Sequence, residues 1–190
     1  MTDILKQIED YKPYNYQEEK DKKVFLNYLK NFHNYLSREN EYGHMTSSAF
    51  VLNKERTKIV MIYHNIYKSW GWMGGHADGD SDLLHVAVKE AKEESGLMNV
   101  KPISDDILTL DTIPVIGHTK KGKYVPAHVH LSVAYALEAD ENESLHIKED
   151  ENSGVKWVTT DQMVELSIEP SLQYVYDKAI KKMKGLKYIR

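Results

Sequence analysis

The sequence predicts an α/β fold in which a mixed β-sheet lies between helices. Three observations point to it. One strongly helical segment, residues 83–95, sits mid-chain behind a glycine-rich loop. Stretches alternating apolar and polar residues, the mark of half-buried strands, flank it on both sides. Apolar stripes at helical spacing stand near both ends of the chain. At 190 residues the chain fits one decorated domain with a proper core.

Composition narrows the functional classes. Hydrophobic residues make up 41% and charged residues 28%, as in soluble globular proteins. A net charge of −4 argues against a broad nucleic-acid-binding surface. The sequence has no cysteine, which removes disulfides, thiolate metal sites and a cysteine nucleophile together. Residues 1–6 lack a basic-then-apolar signal pattern, and no apolar run approaches the roughly 20 residues of a membrane helix. The expectation is a cytoplasmic protein without a membrane partner.

Taken in order, residues 1–22 are polar and tyrosine-rich, with Tyr11, Tyr14 and Tyr16 around Pro13. They predict a short helix and an irregular segment. Residues 24–38 carry Phe25, Tyr28, Leu29, Phe32 and Leu36 on one helical stripe, for packing on the core or on a second copy of the chain. Gly43 marks the break into the main domain. Residues 46–52 and 58–64 read as a hairpin around a turn at 53–57. Residues 65–73 read as a loop bearing Trp70 and Trp72, more often packing residues than a platform for a base.

Beyond the central helix, residues 107–116 are strand-like, and Pro114 keeps them from a fully paired central position. A turn follows at 119–123. Residues 124–137 alternate, with Val129, Leu131 and Val133 facing one way and His128, His130 and Ser132 the other. The acidic run 138–151 reads as a loop and residues 155–158 as a short strand. Thr159-x-x-Gln162 is a capping box for a helix to about Leu166. Pro170 opens the last helix, with Leu172, Tyr176, Ile180 and Met183 on its apolar stripe. Its Lys178, Lys181, Lys182, Lys184, Lys187 and Arg190 are expected on a solvated face. The domain boundaries expected are 1–42 for a helical extension, 43–168 for the main domain and 169–190 for a helix packed on it.

The stretch Gly74 to Leu97 organises the chain. Its helix is expected to end at Gly96, a natural C-terminal stop. Leu84, Ala87, Val88 and Ala91 form an apolar face, while Glu90, Glu93 and Glu94 crowd another at i, i+3 and i+4. Such like-charged pairs cost roughly 0.2–0.5 kcal/mol each. Anions in a last turn also oppose the helix dipole, by about 0.3–1 kcal/mol each. A local rule broken this way marks a functional site, and a bound divalent cation would turn the repulsion into coordination.

The same stretch resembles the signature of the Nudix hydrolases, G-x5-E-x7-R-E-U-x-E-E-x-G-U, where U is a bulky aliphatic residue. Gly75 takes the opening glycine and residues 89–97 the closing run, over 23 residues in all. Ser81 stands where the pattern has Glu, between Asp80 and Asp82. Lys89 replaces Arg and keeps the charge without the planar fork. Ala91 is small for an aliphatic position. The resemblance implies an α/β/α sandwich and hydrolysis of a diphosphate linkage in a nucleoside diphosphate derivative or nucleoside triphosphate. It implies Mg²⁺ or Mn²⁺ held by Glu90, Glu93 and Glu94, with the Gly74 carbonyl as a further oxygen and Lys89 steadying the cluster or a phosphate. The general base falls among Glu93, in a supporting role, and Glu138, Glu149 and Glu151 of the acidic run. Trp72, His76, His128 and His130 are candidates for contact with a small phosphorylated substrate.

Two other functions of this fold are weighed. An isopentenyl diphosphate isomerase needs a catalytic cysteine, which the chain lacks. A non-catalytic nucleotide-binding module would lose the glutamate trio, which the chain keeps. Two further metal readings compete. Asp78-x-Asp80-x-Asp82 resembles an EF-hand start, yet its sixth position is Leu83 and its twelfth Lys89, where Gly and Glu are needed. His128 and His130 share a strand face, and His76 lies in the loop, but with no clear third partner a polar, substrate-lining face is the better reading than zinc.

Overall fold

Strand β1 (Gly43–Asn53) is the axis of the computed structural model, which describes residues 3–120 and 122–189. Lys121 of the expected turn and Arg190 of the expected basic tail lie outside the described residues. Every residue of β1 is buried, because both its edges are paired and both its faces covered. One edge pairs in parallel with β9 (His128–Ala139), from Gly43 opposite Val129 to Asn53 opposite Ala139. The other edge is shared. There β2 (Lys58–His64) meets β1 antiparallel with Leu52 opposite Ile59, and β4 (Met73–His76) pairs with residues 46–49.

Strands β1 and β2 therefore part, and β3 (Ser69–Gly71) and β4 fill the wedge, β3 on β2 and β4 on β1. Outside β2 lies β10 (Asn152–Thr159), and the outer edge of β9 carries β5 (Lys101–Pro102) and β6 (Thr109–Val115). A small hairpin, β7 (His118–Lys120) and β8 (Lys123–Val125), stands apart. The sheet is mixed, as predicted.

Alternation along the strands sorts the core into two layers. Met45, Ala49 and Val51, with Leu131, Val133 and Tyr135, face α1 (Ile4–Asp10), α2 (Tyr16–Asn31) and α3 (Leu83–Ser95). Phe50 and Leu52, with Ala134 and Ala136, face α4 (Thr160–Leu166) and α5 (Pro170–Gly185). Each large apolar side chain buried this way contributes roughly 1.5–3 kcal/mol. Among the described residues no helix is long and apolar enough to cross a membrane.

Several boundaries differ from expectation. The helix expected over 24–38 begins at Tyr16, because the Asn15 side chain accepts from the Glu18 N–H at 3.0 Å and caps it. It stops at Phe32, whose φ of −120° and ψ of 120° are extended. Leu36 then packs on the core from a turn closed by the Ser37 N–H on the Asn34 carbonyl, 3.0 Å. The expected loop at 65–73 contains β3, since the opening between β1 and β2 supplies pairing partners no local pattern announces. The strand expected over 124–137 is interrupted at Pro126, which has no N–H to donate. Pro114 sits in β6, whose described pairing is to β9 alone.

The largest correction concerns the basic face of α5. Lys178 is only 3% exposed. Its Nζ lies 3.0 Å from Glu18 Oε1 and 2.5 Å from Asp111 Oδ1. Lys182 donates to the Tyr11 hydroxyl at 2.8 Å, and that hydroxyl donates to Glu18 at 2.6 Å. The network ties α2, β6 and α5 together through the core. Removing its central cation leaves Asp111 buried without a cation and Glu18 with Lys182 alone, at 3.7 Å, which costs about 3–5 kcal/mol. The Lys178→Met variant is accordingly expected to show a loss of that size in urea unfolding; a loss under about 1 kcal/mol would contradict the placement.

Candidate active site

Helix α3 has the boundaries the sequence predicts. Asp82 caps it by accepting from the His85 N–H at 3.0 Å, and it stops at Gly96, whose φ of 76° suits glycine. Its buried side differs from the expected one. Leu83, Val86, Ala87 and Ala91 are buried, and so are Glu90, at 8% exposure, and Glu94, at 2%. Leu84 and Val88 are half-buried, and the Glu93 side chain remains 41% exposed. The i, i+4 pair Glu90 and Glu94 thus turns toward the sheet, and Glu93 stays at the rim.

What receives the two carboxylates is the glycine pair of β4. Glu94 Oε2 accepts from the Gly74 N–H at 2.8 Å. A Cβ at Gly75 would lie 2.6 Å from Glu90 Oε1, and one at Gly74 would lie 2.8 Å from the Ser47 carbonyl oxygen. Both positions therefore exclude a side chain, Gly75 because a carboxylate occupies the space and Gly74 because β1 does.

Burial, helped by the Glu90 charge and opposed by the Gly74 N–H, pushes the Glu94 carboxyl up to about 8. Burial likewise raises Glu90. Glu93 is held low by its bond to Lys148, 3.1 Å, helped by Lys89 at 3.7 Å. Lys89 also lies 3.5 Å from Glu90 and is about half exposed. Two buried carboxylates that resist ionisation, with a third at the rim, supply the oxygen chemistry a hard divalent cation takes, while among the described residues their ligand atoms stay apart, Glu93 being held on Lys148.

The acidic run 138–151 folds over the C-terminal end of α3. The His146 N–H donates to the Ser95 carbonyl at 2.8 Å and the Asn152 side chain to the Glu94 carbonyl at 3.0 Å, satisfying groups that a helix end leaves open. Within this run Glu151 lies 3.2 Å from Lys148, and its charge bears on both Glu90 and Glu94. Glu138 instead pairs with Arg56 at 2.5 Å, on the part of β9 opposite Leu52. The backbone carbonyl of Glu149 accepts from the Asn65 side chain at 3.1 Å.

A pocket of about 430 Å³ opens beside β4 and is lined by Ser48, Gly74, Gly75 and Glu94. Trp72, His76, His128 and His130 also line it. The Trp72 ring is held edge-on by Phe50 and Tyr176, with centroids 5.3 and 5.5 Å away, so packing fixes it. Three residues of the neighbourhood escape sequence reasoning: His44, Arg38 and Lys148. His44 precedes Thr46 and Ser48 by even steps on β1, so strand parity would reveal it once β1 is extended to Gly43. Lys148 is the single lysine of the acidic run. Arg38 grips both carboxylate oxygens of Asp78, through Nε at 2.8 Å and a second nitrogen. Asp80 accepts from the Asp82 N–H and meets His85 at 2.8 Å, while Asp82 caps α3. Asp78 thus serves Arg38 while Asp80 and Asp82 share the start of α3 through His85, roles that leave the EF-hand reading rejected from the sequence without support.

Comparison with known proteins bears on the fold and the family. The family model described as the NUDIX domain matches residues 43–179. Similar solved structures include a Caenorhabditis elegans Ap4A hydrolase in a binary complex, with a TM-score of 0.54, 14% identity, and 74% of this chain and 98% of that one covered. The Nudix hydrolase RenU of M. smegmatis gives 0.53 at 14% identity, covering 76% and 88%. The dihydroneopterin triphosphate pyrophosphohydrolase of E. coli gives 0.52 at 13%, covering 72% and 95%. No curated protein matches the sequence significantly.

The raised Glu94 carboxyl has a thermodynamic consequence in the metal-free protein. Between the unfolded value of 4.5 and the folded value of about 8, the native state holds a proton that the unfolded state has released. Its contribution is complete below pH 4.5 and lost as pH rises through 8. Metal-free wild type should therefore lose about 5 °C or more in Tm from pH 5.5 to 8.5 relative to Glu94→Gln, whose amide does not titrate. Parallel Tm profiles for the two proteins would contradict the assignment.

Proposed function

The chain belongs to the Nudix family, and we propose that it is a divalent-metal-dependent pyrophosphohydrolase cleaving a phosphoanhydride bond in a small nucleotide. A nucleoside triphosphate or a nucleoside diphosphate derivative is the substrate class. The observation that carries this reading is the burial of Glu90 and Glu94 against the side-chain-free strand at Gly74 and Gly75. Such a pair is costly unless a proton or a cation joins it. The names of two similar structures, an Ap4A hydrolase and a dihydroneopterin triphosphate pyrophosphohydrolase, both denote substrates with phosphoanhydride bonds, which supports the bond class.

Glu90 and Glu94 would hold Mg²⁺ or Mn²⁺, with Glu93 from the rim and the Gly74 carbonyl as further oxygen donors. When bound, the cation neutralises the diphosphate and lowers the pKa of a coordinated water. Glu94 must give up its proton to join this set, so cation affinity rises with pH up to about 8. Glu93 must part from Lys148, which then neutralises Glu151 or a phosphate oxygen. Glu151 acts as the general base, being the member of the acidic run whose charge reaches the pair. Arg38, on the same pocket wall, offers its guanidinium to the substrate's phosphates.

Glu94→Gln keeps the shape and the neutral state that the metal-free protein favours. It should lower kcat by about 100-fold or more while leaving the metal-free Tm at pH 6 nearly unchanged. An unaffected rate would remove Glu94 from the mechanism. The broader reading is tested by offering the protein nucleoside triphosphates, dinucleoside polyphosphates, ADP-ribose and nucleotide sugars with Mg²⁺ or Mn²⁺. Turnover of at least one is expected, and no product from any would overturn it.

A further inference from the structure

Four imidazoles converge in the pocket from three adjacent strands: His44 on β1, His76 on β4, and His128 and His130 on β9. His44 and His130 are direct partners in the parallel register, and His76 lies opposite Thr46, the next residue on the same face of β1. The His44 ring centroid is 5.0 Å from those of His76 and His128 and 5.1 Å from that of His130. His130 is 5.0 Å from His76 and 5.1 Å from His128. Around a tetrahedral ion with metal–nitrogen bonds of about 2.0–2.1 Å, imidazole centroids stand roughly 5 Å apart.

The nitrogen inventory agrees. His44 Nδ1 meets the Asn40 carbonyl at 3.1 Å and His128 Nδ1 meets the Pro126 carbonyl at 2.8 Å. A carbonyl only accepts, so each Nδ1 carries the proton and each Nε2 carries a lone pair. Metal-ligating histidines are oriented in this way, the second nitrogen donating to a carbonyl. His44 is 4% exposed, and its Nε2 is buried without a hydrogen-bond partner. His128 Nε2 lies 3.3 Å from His130 Nε2, close to the roughly 3.3 Å edge of a tetrahedral nitrogen set. One ligand atom each from His44, His76 and His130 falls within 4.8 Å of the others, so small side-chain rotations close the set.

We propose that His44, His76 and His130 form a binding site for a borderline transition-metal ion of the Zn²⁺ type, with His128 beside it against His130. It opens into the same pocket as Glu94 but uses a different ligand set from the carboxylates on the α3 side of β4. Chemistry divides the two sites, since imidazoles select Zn²⁺, Co²⁺ or Ni²⁺ and carboxylates select Mg²⁺ or Mn²⁺. A bound ion would face the pocket and place a fixed positive charge where an anionic group of the substrate enters.

The test is titration of the chelator-stripped full-length protein with Zn²⁺ by calorimetry, and with Co²⁺ by visible absorption. Wild type is expected to bind one Zn²⁺ tightly and to give the intense d–d bands of tetrahedral cobalt. His44→Gln and His130→Asn should each weaken Zn²⁺ by about 100-fold or more, whereas Glu90→Gln and Glu94→Gln should leave it within about threefold. Nitrogen-15 spectra of wild-type histidines give a reading that needs no variant: His44 Nε2 should shift on adding Zn²⁺. No Zn²⁺ binding, unmoved histidine signals, or affinity lost through the glutamates would each overturn the proposal. Hydrolytic activity does not enter the readout, so its failure leaves the Proposed function standing or falling separately.

Discussion

Two carboxylates on the buried side of one helix have to lie against something without side chains. That constraint fixes the relation between α3 and β4. Glu94 reaches the Gly74 N–H, and Glu90 fills the volume where Gly75 lacks a Cβ. For β4 to be there at all, β1 and β2 must part after Leu52 and Ile59 and let residues 69–76 into the opening. The acidic run then closes over the end of α3 through Ser95, Glu94 and Lys148. Sheet splitting, glycine placement and helix burial are one arrangement seen from three sides.

Around it the fold supplies rigidity. Burying Glu90 and Glu94 opposes stability, and the apolar layers on both faces of the sheet offset that cost. The network of Lys178 and Lys182 with Glu18 and Asp111 fastens α2 and α5 to β6 on the far side of the sheet from β2. One polar cluster is thus internally neutralised, while the Glu90 and Glu94 pair is not. The second state is the one that leaves room for a ligand.

Local chemistry was legible in the sequence, and long-range pairing was not. Asp82 and Gly96 delimit α3 because a cap and a left-handed stop act within a few residues. The spacing of Gly75 to the glutamates was readable for the same reason. Which glutamates turn inward was not, since Leu84 and Val88 look as apolar as Leu83 and Ala87 until β4 is in place. Asn15 as a cap, the short β3, the burial of Lys178 and the meeting of His44 with His76 and His130 all depend on partners far along the chain. The Pro114 signal survived because proline restricts pairing wherever the strand lies.

The central claim is that the Glu90 and Glu94 pocket under β4 holds the cation used in catalysis. Its most direct test is Mn²⁺ binding, followed by electron paramagnetic resonance, in wild type and in Gly75→Ala. Mn²⁺ prefers carboxylate oxygens to imidazoles, and the added methyl would displace the Glu90 carboxylate. The account predicts Mn²⁺ affinity weaker by about 10-fold or more in the variant, with the far-ultraviolet spectrum unchanged. Equal affinity in the two proteins would contradict it.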